Sequence, residues 1–215
     1  MIKIAPSVLS ADFAKMGEEV RELERCGADL VHCDVMDGVF VPNLTFGMPM
    51  VKAIKANTTL PLDVHLMIVK PENYIDAFID AGADYLTFHH TATTETERIL
   101  KRIRERGVRC GIAVNPDVPL KDIEGFVEEM DMLLIMSVFA GFGGQKFIPE
   151  SLEKIRQAAL LKAKYNKALI IEIDGGISAE NVRTIESAGV EIAVAGSAVF
   201  RAADRKVCIR ELQGK

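Results

Sequence analysis

Short apolar, β-branched runs alternate along the chain with longer stretches in which apolar residues recur every three or four positions. The runs fall at roughly 3–8, 30–36, 61–67, 84–88, 108–114, 132–138, 168–173 and 190–195, which predicts eight strands. The stretches between them predict amphipathic helices. Over 12–26, Phe13, Met16, Val20 and Leu23 recur at helical spacing while Lys15, Glu18, Glu22 and Arg25 face away. Asp12 is placed to cap that helix, Pro71 and Pro149 stand near the first turns of later ones, and Ser178 occupies an N-cap position.

Several rounds end on the same hinge. CGAD at 26–29, AGAD at 81–84, ERGV at 105–108 and AGVE at 188–191 each put a glycine where a helix must turn left-handed before the next strand. The 215 residues divide into eight rounds of about 27, close to the minimum for a (β/α)₈ barrel. The expected fold is therefore an α/β TIM barrel, a single compact domain over residues 1–215. A doubly wound open sheet fits less well, because the first β/α turn carries no GxGxxG.

Composition narrows the class. With 49% hydrophobic and 27% charged residues the chain reads as globular, and such a length buries roughly 70% of its unfolded surface without needing disulfides. A formal charge of −5 argues against a nucleic-acid partner. No apolar stretch approaches the roughly 18 residues of a membrane span, and the start MIKIAPSVLSADF turns polar too soon for a secretory signal. Cys26, Cys33, Cys110 and Cys208 show no CxxC spacing and read as reduced thiols of a cytoplasmic protein.

A barrel of this kind carries its site at the C-terminal ends of the strands. There the chain reads His32-Cys33-Asp34, Asp63-Val64-His65, His89-His90 and Glu172-Ile173-Asp174, so all four histidines fall at strand ends. Alternation puts His32 with Asp34 and Asp63 with His65 on shared faces. His89 and His90, taken singly, read as ordinary hydrogen-bonded histidines. His32, Asp34, His65 and Asp174 together form a mixed N/O donor set suited to Zn²⁺, Fe²⁺ or Mn²⁺.

Three glycine-rich loops follow the late strands: Ala140-Gly141-Phe142-Gly143-Gly144-Gln145, Gly175-Gly176-Ile177-Ser178 and Gly196-Ser197. Their backbone N–H groups, with short helices starting there, can hold a phosphate without Lys or Arg. Two carboxylates from distant strands, Asp34 and Asp174, can take a proton from one face of a substrate and return one to the other. A metal would stabilise the enediolate oxygen between those steps. A phosphorylated ketose is the substrate class this combination expects.

The stretches APSVLSADF, HCDVMDGVFVPNLTFG, LDVHLM, GFGGQKF, EIDGGI and AGSAVF, in this order over about residues 3–200, resemble the ribulose-phosphate 3-epimerase family. The resemblance implies a (β/α)₈ barrel with a divalent metal on His32, Asp34, His65 and Asp174, and Asp34 and Asp174 as the acid/base pair at C3. It further implies that Ser7 and His65 touch the sugar. Gly141, Phe142, Gly143, Gly144, Gly175, Gly176, Gly196 and Ser197, with Asp174, would complete the substrate contacts. Met36, Met67 and Met136 would line the site, although as residues alone they read equally as core fillers, and 37–47 would form a loop over it. The substrate expected is D-ribulose 5-phosphate, the product D-xylulose 5-phosphate, and the assembly a homo-oligomer, a dimer or hexamer.

Two positions depart from the family's usual pattern. Thr91 stands where it has Glu after strand four, and Phe139-Ala140 stand where it has Asn-Pro. Both are expected to reshape the sugar end of the site. The alternatives are a hexulose-phosphate epimerase acting on D-allulose 6-phosphate and a non-catalytic sugar-phosphate-binding barrel. A decarboxylase built on Asp-x-Lys-x-x-Asp is disfavoured, because Asp34-Val35-Met36-Asp37 contains no lysine.

Overall fold

A computed structural model describes the whole chain, Met1–Lys215. Its eight strands are β1 (Lys3–Ala5), β2 (Val31–Met36), β3 (Leu62–Met67), β4 (Tyr85–His89), β5 (Arg109–Val114), β6 (Met132–Met136), β7 (Ile170–Asp174) and β8 (Ile192–Val194). They pair in parallel in the order β1-β8-β7-β6-β5-β4-β3-β2. The two ends of that sheet meet where His32 N donates to Pro6 O at 3.0 Å, beside a parallel bridge between Ser7 and His32. The sheet thus closes into the expected barrel.

Alternation along the strands sorts side chains between two compartments. Val31, Cys33 and Val35 of β2, Leu62, Val64 and Leu66 of β3, and Ile171 and Ile173 of β7 point outward into the main hydrophobic shell beneath the helices. The intervening residues point into the barrel. At its floor Ala5, Leu30, Tyr85, Met132 and Ile192 pack together, and Arg109 closes the bottom by donating to the Tyr85 hydroxyl at 2.6 Å. Above this floor the interior turns polar.

The outer layer holds α1 (Met16–Cys26), α2 (Met48–Lys55), α3 (Ile75–Asp80), α4 (Thr96–Glu105), α5 (Ser151–Tyr165), α6 (Val182–Ser187), α7 (Ser197–Phe200) and α8 (Arg205–Gln213). Met16, Val20 and Leu23 are buried on α1 as the periodicity requires. Phe13 departs from that face. It is 38% exposed and meets Phe46 edge-on at 5.6 Å, because residues 13–15 form a 3-10 turn ahead of the helix. Asp12 caps that turn at Ala14 N, not α1 itself.

Gly27, Gly82, Gly107 and Gly189 all have positive φ, as the repeated hinge demands. The fifth round lacks a helix. Between β5 and β6 the chain makes only a 3-10 stretch, Leu120–Phe126, in a segment interrupted by Pro116, Pro119 and Gly125. Ser178 does not cap α6. Asn181 precedes that helix, and its side chain reaches back to accept from Ser178 N and donate to Gly176 O. No helix of the chain is long and apolar enough to cross a membrane.

Candidate active site

The polar interior opens at the C-terminal ends of the strands into a cavity of about 550 Å³. Asp34 organises its deep end. Asp34 Oδ1 lies 3.2 Å from both His32 Nε2 and His65 Nδ1, while Oδ2 accepts from Ser7 Oγ at 2.5 Å. Asp174 arrives from β7, on the far side of the barrel from β2 and β3. One donor atom each from His32, Asp34, His65 and Asp174 lies within 4.8 Å of every other. Two imidazole nitrogens and two carboxylate oxygens at that spacing fit a small divalent cation.

The two carboxylates feel different surroundings. Burial works to raise Asp34, but the adjoining His32 and His65 hold its carboxyl well below the usual carboxylate range. Asp174 has no such partner, and desolvation together with the charge of Asp34 pushes it up to about 7. Without a bound cation one carboxylate is therefore held ionised and its counterpart is poised near neutrality. Such divergence within one cleft separates acid from base. Burial lowers His65, whereas His32 is raised because Asp63 and Asp34 outweigh its own burial.

The opposite end of the cavity is made of backbone. Gly141, Gly143, Gly144, Gly175, Gly176, Gly196 and Ser197 line it, and no lysine or arginine does. The N–H groups of Gly143, Gly144, Gly176, Ile177, Gly196 and Ser197 have no acceptor within the protein. Carboxamides hold the loop in this shape. Gln145 Nε2 donates to Phe139 O and Phe142 O, and Asn43 Nδ2 donates to Gly141 O at 2.8 Å. Gly176 shows why glycine is required, since a Cβ there would stand 2.2 Å from Phe147 N. Of the short helices expected at these loops, only α7 starts within one; α6 begins six residues beyond Gly176. The turns themselves present the donors.

The segment 37–47 packs beside the cavity without lining it, touching the Gly141 loop through Asn43. Asp37 gathers it by accepting from Val39 N, Phe40 N and Val69 N, and Thr45 Oγ1 donates to Asp34 O at 2.7 Å. Beneath it Val41 packs with Met36 and Met67. These methionines and Met136 are buried and also line the cavity, so they fill core and site at once. Phe139 and Phe142 line the cavity as well, about half exposed. Thr91 does not: it sits on the exposed turn His90–Ala92, outside the lining, so only the Phe139 half of the expected reshaping touches the site.

Sequence reasoning missed several members. Leu9 and Ser10 line the cavity next to Ser7. His89 is hydrogen-bonded as expected, but to a site residue, its Nε2 standing 2.9 Å from His65 Nε2, whereas His90 bonds Thr96 away from the cavity. Asp63 and Glu172 lie inside the barrel two residues before His65 and Asp174. The signal that could have found them was present in the spacing, a polar residue at i and again at i+2 on three inward faces.

Residues 3–200 match the model of the ribulose-phosphate 3 epimerase family. The chain belongs to that family. A ribulose-phosphate 3-epimerase of Bacillus subtilis (strain 168) is 48% identical over 215 residues, covering 100% of this chain and 99% of its own. A chloroplastic ribulose-5-phosphate-3-epimerase of Arabidopsis thaliana is 44% identical over 214 residues, covering 99% of this chain and 76% of its own. Among solved structures, 3-hexulose-6-phosphate synthase from Salmonella typhimurium superposes with a TM-score of 0.70 at 21% identity, covering 99% and 97% of the two chains. That likeness extends to the barrel alone, whereas the epimerase relatives share the chain nearly end to end.

Proposed function

We propose that this epimerase-family barrel interconverts D-ribulose 5-phosphate and D-xylulose 5-phosphate by moving the C3 proton between Asp34 and Asp174. The observation that carries this reading is the pair of carboxylates brought from opposite sides of the barrel into one cleft, where their neighbours lower one and raise the other. One ionised carboxylate takes the proton from C3, and the electron pair moves toward the C2 carbonyl oxygen. The protonated carboxyl on the other face then gives its proton to C3, and the configuration inverts. Run backward, the two residues exchange roles.

His32, Asp34, His65 and Asp174 would hold a divalent cation, Zn²⁺, Fe²⁺ or Mn²⁺, on this reading. Bound there, the cation supplies positive charge against the oxyanion that forms as C3 is deprotonated. The Ser7 hydroxyl holds Asp34 in place from the side and reaches the sugar, as does His65. The free N–H groups of Gly141–Gly144, Gly175, Gly176, Gly196 and Ser197 receive the phosphate, with Phe142 covering it. The methionines keep water from the reacting carbon. The whole chain works as one barrel domain, assembled into a homo-oligomer, and its four unpaired cysteines suit a reducing cytoplasm.

The test is to incubate the metal-loaded protein in D₂O with pentulose 5-phosphates and hexulose 6-phosphates, then follow C3 by NMR. Deuterium at C3 together with the epimer is expected for ribulose 5-phosphate. Asp34→Asn and Asp174→Asn should each reduce turnover by about 10²–10⁴-fold, the range for losing a general acid or base. Turnover confined to hexulose phosphates would overturn the pentulose assignment, and absence of exchange with every ketose phosphate would leave a binding protein. Full activity in either variant would overturn the two-carboxylate mechanism.

A further inference from the structure

Directly below the catalytic layer lies a second tier of polar side chains that this reaction does not use. Asp63, Thr87 and Glu172 point inward from β3, β4 and β7, each with no exposed surface. Asp63 Oδ2 meets His32 Nδ1, on the ring edge opposite the Nε2 that faces Asp34. Asp63 Oδ1, Thr87 Oγ1 and both oxygens of Glu172 have no partner. Donor atoms of His32, Asp63 and Glu172 lie within 4.8 Å of one another. One tier lower the same barrel is filled with apolar side chains. Buried carboxylates are an unfavourable filling wherever packing is the only need, so this tier answers to something besides packing.

We propose that Asp63 is a positioning residue for the site above it. Its carboxylate accepts the Nδ1–H of His32 and so fixes the tautomer whose Nε2 lone pair faces Asp34, with Glu172 packed behind it as a support. A neutral imidazole donates from one nitrogen and accepts at the other, while a carboxylate only accepts. His32 lies between two carboxylates, Asp34 at Nε2 and Asp63 at Nδ1, and the Asp63 contact is the closer. The ring proton therefore belongs on the Asp63 side, and Nε2 is left as a donor atom for a cation. His65 is backed differently, by the ring of His89, so of the two imidazoles only His32 has a carboxylate behind it.

This inference rests on the metal reading of the upper tier, and its test separates the two. In metal-free protein held at a pH high enough to leave the His32 ring neutral, ¹⁵N-resolved NMR of the histidine side chains should show His32 as the Nδ1–H tautomer; an Nε2–H tautomer there would overturn the proposal. Asp63→Asn, checked for folding by circular dichroism, should bind Co²⁺ 10- to 100-fold more weakly than the parent, as loss of a carboxylate behind a ligating histidine does. Equal affinity in a folded Asp63→Asn would overturn it too. Asp63→Glu should recover part of the loss. A parent that takes up no Co²⁺ would remove the metal reading and the cation-holding role with it, and the tautomer measurement would still decide the Asp63–His32 contact. The parent spectrum decides that contact even if the variant fails to fold.

Discussion

Asp34 and Asp174 are the same side chain placed at equivalent heights in one barrel, and their neighbours make them different acids. Two imidazoles and the Ser7 hydroxyl surround the first, whereas the second meets burial and the negative charge of Asp34. The sign of the effect on stability follows. Asp174 is raised from an ordinary value of 3.8 to about 7, so the folded protein binds a proton there that the unfolded chain releases. In the metal-free protein this stabilising contribution is present below pH 4 and is lost as pH rises toward 7, on the order of 4 kcal/mol in all. Asp34, lowered, contributes in the opposite sense and loses stability only in acid. Urea unfolding with chelator present should therefore show Asp174→Asn gaining on the parent between pH 4 and pH 8. Parallel pH profiles for the two proteins would show that Asp174 titrates normally. At this scale much of the site was legible, because His32, Asp34, His65 and Asp174 stand at strand ends where the fold puts chemistry. Asp63, Glu172 and His89 were less so, since an i, i+2 spacing or a strand-end position shows a shared inward face but not which side chain meets which across the barrel. Only the tertiary structure sets Asp63 and Glu172 beside His32 and His89 beside His65.

Among elements, the strands were the most readable and the loops the least. Predicted and observed strands agree in number and order, because a two-residue alternation of shell and interior leaves little freedom of register. The helices vary more. A helical period at residue 13 does not show that Phe13 belongs to a 3-10 turn, and an apolar segment after β5 gathers into 3-10 geometry once Pro116, Pro119 and Gly125 interrupt it. The glycine loops were legible as open backbone turns at the cavity, but their bracing was not. Asn43 and Gln145 act from 98 and no more than six residues away from the carbonyls they hold. Gly176→Ala tests the proposed phosphate grip at this scale. A methyl at 2.2 Å from Phe147 N, on a backbone with φ +65°, displaces one loop or the other. Strain of about 1–3 kcal/mol should weaken competitive inhibition by inorganic phosphate by roughly 10- to 100-fold and raise KM more than it lowers kcat. An unchanged inhibition constant would detach this loop from phosphate binding.

At the scale of the whole molecule, the cavity of a chain of charge −5 holds no basic side chain, so on the proposed reading backbone dipoles and a cation would handle the anionic substrate. Binding to the folded state alone stabilises it, so cation at 100-fold over its dissociation constant adds about 2.7 kcal/mol. For a domain of this length that corresponds to roughly 5–10 °C in Tm, which calorimetry with and without chelator should detect in the parent. His65→Ala should show a much smaller shift, and an equal shift would place the cation elsewhere. The sequence by itself determined the barrel, because eight repeats of alternating and helical periodicity admit few other ways to bury their apolar faces. It also determined the donor types and the glycine positions, since each is a local property of one strand end or turn. The tertiary structure alone decided which donors meet, which carboxylate is raised and which lowered, and what stands beneath His32. Those properties depend on distances across a closed barrel between residues on different strands, and on desolvation that no single strand can impose.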